Sequence, residues 1–231
     1  MDVAEIAYLP VGDLSIAYRL RRGIVPTIIF FPGYASDMEG AKALALDGFA
    51  RERGIGMVRF DYSGTGSSSG SFADGTLGLW LEQSLAVIDQ LTDGPLVLVG
   101  SSMGGWIALH AALRRSERVS ALIGIAAAPD FTNWGFASRE AAEQQGIAAS
   151  FWKSGQERLL LESDIAIECP VRLLHGEKDP DVPLDVAFRL MRALRSADVQ
   201  LNVIKGGGHR LSEAPEIDAI LRTVAEFTET E

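Results

Sequence analysis

Cysteine and histidine are scarce in this chain, which limits the disulfides it can form and the residues that can act as a catalytic base. A single cysteine, Cys169, excludes an internal disulfide and is typical of a reducing compartment. It stands at the start of an apolar strand, where we expect a buried, unreactive side chain. The 231 residues include only three histidines. Any catalytic histidine must therefore be His110, His175 or His209.

Positive charge and long apolar runs are also in short supply. Lys and Arg number 21 against 31 Asp and Glu, a net charge of −10, which argues against nucleic acid or an anionic membrane as partner. No run reaches the ~20 apolar residues that span a bilayer. The acidic start, Met1 to Glu5, lacks the basic region of a secretory signal, so we expect a cytoplasmic protein. We expect no metal, no cofactor, and a monomer or weak homodimer.

Short apolar strands alternate with helical stretches along the chain, which predicts an α/β fold with a mostly parallel central sheet and helices on both faces. We expect one domain over residues 1–231, opened by a hairpin. The predicted strands cover 6–9, 14–19, 27–31, 56–60, 95–99, 119–127, 171–175 and 199–204; the predicted helices cover 42–53, 77–91, 106–113, 184–194 and 215–227. Residues 129–168 interrupt this rhythm and predict a short helical lid over the carboxyl ends of the strands.

The most informative motif lies between the fifth predicted strand and its helix. Residues 100–104, Gly-Ser-Ser-Met-Gly, fit the pattern G-x-S-x-G after a buried strand and before a helix, which is the layout of a nucleophile elbow. Such a turn holds its serine in a strained conformation at the start of a helix, where negative charge is favoured. The motif predicts Ser102 as a nucleophile.

A serine hydroxyl needs a base, and the base needs an acid that orients it. In hydrolases with this elbow the order is serine, acid, histidine. His110 lies on the elbow helix, and His175 precedes the best acid candidates. His209 follows the last strand in Gly-Gly-Gly-His-Arg and alone has the right order and position.

The acid is less unique than the histidine. Asp179 lies in the loop after the penultimate strand, from which a carboxylate can reach the loop of the histidine. Asp181 and Glu177 share that loop, and Asp130 follows the preceding strand, where some related enzymes place their acid. We take Asp179 as the leading candidate, with Asp130 and Asp181 as the alternatives.

An acyl-transfer site also needs two N–H donors for the oxyanion of the tetrahedral intermediate. One is the N–H of Met103, directly after the nucleophile. The other should come from the loop after the third strand, 31–35, where we choose the N–H of Tyr34 because Gly33 permits a close approach. A second glycine-rich segment, 61–68, lacks the ending of a phosphate loop and predicts a structural loop beside the site.

The lid segment is rich in aromatic residues. Its aromatic side chains either pack the lid onto the sheet or line an apolar acyl pocket; they are Phe131, Trp134, Phe136, Phe151 and Trp152. We name the last four as candidate substrate-binding residues.

The motifs together resemble one family of α/β-hydrolases over the whole chain. The stretches that carry the resemblance are 31–34, 42–45, 59–64, 100–106 and 172–176, which read FPGY, KALA, RFDYSG, GSSMGGW and RLLHG. They are similar to the mycophenolic acid acyl-glucuronide esterases, also described as acyl-protein (palmitoyl) thioesterases. The resemblance implies a triad of Ser102, Asp179 and His209. Compared with the animal enzymes of that family, we expect a shorter lid insert and no mitochondrial transit segment, as in a bacterial-type relative.

We therefore expect a serine esterase or thioesterase that acts on a small acyl ester or thioester. Two alternatives stay open: a peptidase on the same fold, and a non-catalytic small-molecule receptor. The peptidase would need an acidic cluster in the lid to bind an amine, and the receptor would be expected to have lost a triad member. An aspartate-based dehalogenase or epoxide hydrolase is disfavoured because Ser102 stands where those enzymes carry Asp.

Overall fold

The computed structural model describes residues 4–228, which form an eight-stranded sheet between two layers of helices. The strands are β1 (Ala7–Val11), β2 (Leu14–Arg21), β3 (Ile24–Phe31), β4 (Ile55–Phe60), β5 (Leu96–Ser101), β6 (Val119–Ile125), β7 (Val171–Gly176) and β8 (Val199–Ile204). The helices are α1 (Ala41–Arg53), α2 (Leu77–Leu91), α3 (Met103–Arg114), α4 (Phe131–Trp134), α5 (Arg139–Gln144), α6 (Ala149–Gln156), α7 (Leu184–Ala193) and α8 (Ala214–Ala225), with one 3₁₀ turn at Phe72–Asp74.

The sheet order is β1-β2-β4-β3-β5-β6-β7-β8, and every pairing from β4 to β8 is parallel. The predicted α/β architecture is therefore confirmed. The parallel strands end at one edge of the sheet, so the loops after β3, β5, β6, β7 and β8 come together there.

The opening hairpin is longer than predicted. We expected a turn over residues 10–13, but β1 continues through Pro10, which pairs with Ser15. Proline is tolerated there because β1 is an edge strand and its missing N–H breaks no sheet hydrogen bond. The turn is confined to Gly12 and Asp13, and Gly12 supplies the left-handed φ of 58°.

Alternate residues of the central strands enter two apolar cores, one on each face. Ile29 and Phe31 of β3 pack into the core under α2 and α3, whereas Ile28 and Phe30 pack into the core under α1 and α8. Burial on both faces is what parallel strands require, and it explains their nearly continuous apolar sequences.

The segment between β6 and β7 carries the three short helices α4, α5 and α6. We call residues 129–168 the lid. Its last helix packs on α2, where Ser154 Oγ accepts the N–H of Gly78 at 3.0 Å. The carbonyl of Arg158 accepts the ring N–H groups of Trp106 and His110 from α3 at 3.2 and 3.0 Å. The lid is thereby tied to both helices of this layer.

Candidate active site

Ser102 lies at the junction of β5 and α3 in a strained backbone conformation. Its φ of 55° and ψ of −123° are rare for a residue with a side chain. Two backbone hydrogen bonds hold this turn: the N–H of Ser102 donates to Ile125 at 2.9 Å, and its carbonyl accepts from Ala128 at 3.1 Å. A Cβ at Gly104 would stand 2.1 Å from the carbonyl oxygen of Phe31. Glycine there lets the start of α3 pack directly against the end of β3.

Three side chains from three loops form one hydrogen-bonded chain at this edge of the sheet. His209 Nε2 lies 3.0 Å from Ser102 Oγ, and His209 Nδ1 lies 2.9 Å from Asp179 Oδ2. A carboxylate only accepts hydrogen bonds, so Nδ1 carries the proton and Nε2 accepts the hydroxyl of Ser102. This is the tautomer that a base for Ser102 needs.

The carboxylate of Asp179 is held in place by its own loop. Its Oδ1 accepts the backbone N–H groups of Asp181 and Val182, each at 2.9 Å. Burial raises the pKa of this carboxyl, but the hydrogen bonds from His209, Val182 and Asp181 outweigh it and hold the pKa below its ordinary value. Asp179 is therefore ionised at neutral pH.

In the described residues, neither of the two other acids considered from the sequence is hydrogen-bonded to His209. Asp181 is exposed, and its backbone N–H is bonded to Asp179. Asp130 is buried, and its carboxylate accepts the N–H groups of Leu160 and Leu161 at 2.7–3.0 Å. Asp130 thus binds the segment that follows α6 in the lid instead of a histidine.

His175 has a part that sequence reasoning missed. It is buried, its Nε2 donates to the carbonyl of Val182 at 2.9 Å, and the same nitrogen lies 3.6 Å from Asp179 Oδ2. The ring therefore supports the loop that presents Asp179. Its place at the end of β7, four residues before Asp179, was the available signal.

The proposed donors Tyr34 and Met103 flank Ser102 from two loops. Met103 is the first residue of α3, and Tyr34 follows β3. Within residues 4–228 neither backbone N–H has a protein acceptor. A Cβ at Gly33 would meet Ser102 Cβ and Ser101 O at 3.4 Å, an ordinary contact. The loop after β3 is therefore in van der Waals contact with Ser102 at Gly33, and a tighter approach occurs at Gly104.

A cavity of about 400 Å³ opens beside Ser102 and His209. Its walls come from the loop after β3, the start of α1 and the loop after β8, and they include Tyr34, Lys42 and Arg210. Lys42 and Arg210 were not predicted as site residues, because they come from segments that are distant in the chain.

None of the four lid residues named from the sequence lines this cavity. Phe151 is buried in an aromatic cluster with Tyr34, Trp80 and Phe131, at ring distances of 5.1–5.7 Å. The other three also pack against the apolar cores; they are Trp134, Phe136 and Trp152. A second, apolar space of about 320 Å³ lies on the lid side of Tyr34, lined by Phe72, Ile147 and Ala148 among others.

Cys169 and His110 are poor candidates for chemistry. Burial raises the pKa of the Cys169 thiol to about 11, so the reactive thiolate is negligible at neutral pH. Burial lowers the pKa of His110 to about 4, although its hydrogen bond to Arg158 opposes that shift. His110 is thus a neutral ring that supports the lid.

The glycine-rich segment 61–68 serves as structure. The buried carboxylate of Asp61 accepts the N–H groups of Met38 and Ser67 at 2.7 and 2.8 Å, which ties this loop to the one after β3. In the described part of the chain, one set of metal-ligating side chains has its atoms within 4.8 Å of one another, that of Asp179, Asp181 and His209. Since Asp179 and His209 are bonded to each other, we assign no metal there, and its absence stays a prediction.

The sheet order, the strained serine and the lid after β6 together define the α/β-hydrolase fold. The family model described as alpha/beta hydrolase fold matches residues 26–156. The chain belongs to this family.

Individual relatives narrow the group within that family. The chain is 39% identical to the human mitochondrial palmitoyl-protein thioesterase ABHD10, over 95% of this chain and 79% of the relative. The structure of mouse alpha/beta hydrolase domain-containing protein 10 superposes with a TM-score of 0.90 at 37% identity, covering 96% of this chain and 98% of that one. A putative hydrolase from Agrobacterium vitis S4 gives a TM-score of 0.89 at 36% identity, with coverages of 97% and 98%.

These relatives confirm the predicted family and enzyme class: the protein is an esterase or thioesterase enzyme of the α/β-hydrolase family. In the described part of the chain, no helix combines the length and apolar character needed to cross a bilayer. The ABHD10 relatives are named as mitochondrial, so the cytoplasmic location stays a prediction from the sequence.

Proposed function

We propose that the protein is a single-domain serine hydrolase that cleaves acyl esters and acyl thioesters through an acyl-enzyme on Ser102. The observation that supports this most directly is the continuous hydrogen-bonded chain from Asp179 through His209 to Ser102, at distances of 2.9 and 3.0 Å. A resting serine, base and acid in hydrogen-bond contact are what nucleophilic catalysis by a hydroxyl requires.

In the first half of the reaction, Ser102 Oγ attacks the carbonyl carbon of the substrate while His209 Nε2 takes the hydroxyl proton. The positive charge that forms on the imidazole faces the ionised Asp179 carboxylate. The tetrahedral intermediate then collapses, the bond from the acyl carbon to the leaving oxygen or sulfur breaks, and His209 returns the proton to the leaving group.

The negative charge of the intermediate falls on the former carbonyl oxygen. The N–H groups of Tyr34 and Met103 are our proposed donors, because they flank Ser102 and have no protein acceptor within residues 4–228. Met103 also begins α3, whose dipole favours negative charge at that end. Since this oxyanion forms from esters and thioesters alike, both substrates are expected.

In the second half, water replaces the leaving group. His209 removes a proton from the water, the hydroxide attacks the acyl carbon, and the ester bond to Ser102 Oγ breaks to release the carboxylic acid. Ser102 recovers its proton from His209, so the enzyme returns to its starting state without a cofactor.

The test is labelling with a fluorophosphonate, followed by turnover of acetyl to octanoyl esters and thioesters. We expect labelling of the wild type and a loss in kcat of about 10⁴-fold in Ser102→Ala and in His209→Ala, because the triad acts as a unit. Ser116→Ala, an exposed serine after α3, is the matched control and should keep both labelling and turnover.

The alternatives have their own outcomes in this experiment. Absence of labelling and of turnover in the folded wild type would contradict the proposal and favour a receptor. Labelling without ester or thioester turnover, together with cleavage of a peptide substrate assayed in parallel, would favour a peptidase. Wild-type turnover in either triad variant would remove that residue from the mechanism.

A further inference from the structure

The cavity beside Ser102 is positively charged in a protein whose net charge is −10. Two cationic side chains line it: Lys42 on the first turn of α1, and Arg210, directly after His209. The ammonium of Lys42 donates to the backbone carbonyl of Arg210. Residues 168 positions apart are thereby brought together at the mouth of the site.

The opposing charges nearby are few. Asp37 also lines the cavity, and its Oδ1 accepts the N–H of Glu39 at 2.8 Å. Burial lowers the pKa of Lys42; the carboxylate of Glu216 opposes this shift, and the charge of Arg210 adds to it. The carboxylate of Glu216 accepts the N–H of Glu213 at 2.9 Å in the capping box of α8.

The guanidinium of Arg210 is exposed, and within residues 4–228 it forms no hydrogen bond or ion pair. Its five N–H groups are free for an acceptor that is not part of the chain. The first turn of α1 adds to this: its N-cap is Gly40, which has no side chain to cap it, and the turn contains no acidic residue. Residues 41–43 line the same cavity, and within residues 4–228 their backbone N–H groups have no protein acceptor.

The position of the cavity decides which part of a substrate it receives. His209 lines it, and the proposed mechanism requires the leaving group to lie next to His209 Nε2, which returns its proton. Arg210 directly follows that histidine. The charged wall therefore faces the departing oxygen or sulfur, whereas the apolar space beyond Tyr34 lies on the lid side.

We infer that Arg210 and Lys42 form a subsite for an anionic group, a carboxylate or a phosphate, carried on the leaving group of the substrate. This inference rests on the proposed function. Arg210 supplies a planar fork that matches either oxyanion, and Lys42 adds a second charge while it fixes the backbone at Arg210. Binding the anion places the scissile carbonyl between Ser102 and His209.

The test compares butyryl thioesters that differ only in the thiol. The neutral thiol is 2-mercaptoethanol, and the anionic thiols are 3-mercaptopropionate and 2-mercaptoethyl phosphate. We expect the wild type at low salt to show kcat/KM about tenfold higher for an anionic thioester than for the neutral one, the effect of one charge-assisted hydrogen bond. Comparison of the two anions shows whether a carboxylate or a phosphate is preferred.

The variants assign the preference to the subsite. In Arg210→Gln the ratio of anionic to neutral kcat/KM should fall to within about twofold of one, while Arg210→Lys should keep part of it. Arg192→Gln, an equal charge change at an exposed position on α7, should keep the full ratio. Raising the salt concentration should lower the wild-type ratio.

The outcomes separate this inference from the proposed function. Equal kcat/KM for all three thioesters in the wild type, or an unchanged ratio in Arg210→Gln, overturns the subsite and leaves the hydrolase mechanism in place. Failure to hydrolyse any ester or thioester overturns the proposed function, and the subsite with it.

Discussion

Two aspartates with buried side chains follow neighbouring strands of the sheet, and they have different partners. Asp130 follows β6 and accepts two backbone N–H groups of the lid. Asp179 follows β7 and accepts two backbone N–H groups of its own loop together with the imidazole of His209. Both stand at the carboxyl edge of the sheet, where an acid for the histidine is expected.

The difference lies in what reaches each carboxylate. For Asp130, burial dominates the two N–H bonds and raises its pKa above the ordinary value. For Asp179, the added N–H of His209 tips the balance, and its pKa falls. The same side chain in a similar place therefore stabilises a lid in one case and, in our proposal, orients a base in the other.

The largest expected effect is on activity, which should depend far more on Asp179 than on Asp130. Asp179→Asn should lower the kcat for ester hydrolysis by about 10³–10⁴-fold, because an amide in place of the carboxylate no longer holds the required tautomer of His209. Asp130→Asn should lower kcat by less than tenfold. The measurement is steady-state kinetics on a butyryl ester with folded protein, checked by circular dichroism. A reversed order of the two losses would move the catalytic acid to β6.

The second effect concerns stability, and here the substitution of Asp130 should have the larger effect. Asp130→Asn replaces one of the two carboxyl oxygens that accept lid N–H groups with an amide nitrogen, so the free energy of unfolding should fall by about 2 kcal/mol. Limited proteolysis should then cut within the lid sooner than in the wild type. Asp164→Asn, an exposed aspartate in the same segment, is the control. Equal stability of the Asp130 and Asp164 variants in urea would show that the lid does not depend on Asp130.

The smallest expected effect is on the pH dependence of stability, where the contributions of the two aspartates should change in opposite directions. The folded pKa of Asp179 is lowered, so its contribution to stability is present above its unfolded value near 3.8 and is lost as the pH falls below it. The folded pKa of Asp130 is raised, so its contribution increases as the pH falls toward 3.8 from above. The free energy of unfolding can be measured by urea titration between pH 3 and 6. The difference between wild type and variant should therefore change with pH in opposite directions for Asp179→Asn and Asp130→Asn. Slopes of the same sign would contradict the assigned environments.

Local signals predicted much of the fold. The helix at Leu77–Leu91 was predicted with both ends, because its apolar residues recur at helical spacing. The structure adds that the side chain of Thr76 caps its first turn. Strand β8 was also predicted with both ends. An error occurred where the structure depends on the position of a strand in the sheet. Pro10 predicted a turn, but proline is tolerated in β1 because β1 is an edge strand.

In the candidate site too, features encoded by adjacent residues were predicted, and features that depend on distant residues were not. The strand, glycines and helix around Ser102 are contiguous, so a local pattern predicted the turn, and chain order pointed to His209 and Asp179. The lid aromatics had two possible uses in the sequence, and their burial in the described structure depends on partners such as Tyr34 and Trp80, which are distant in the chain.

The sequence by itself determined the alternation of strands and helices, the strained position of Ser102 and the chain order of the three candidate side chains, because each depends on residues that are adjacent or on connection rules that hold for any parallel sheet. Only the tertiary structure decided which aspartate meets His209 and that Lys42 and Arg210 share a cavity. Such contacts depend on where loops from separate strands meet, and on which N–H groups burial leaves for each carboxylate to accept. Neither is encoded in a local pattern.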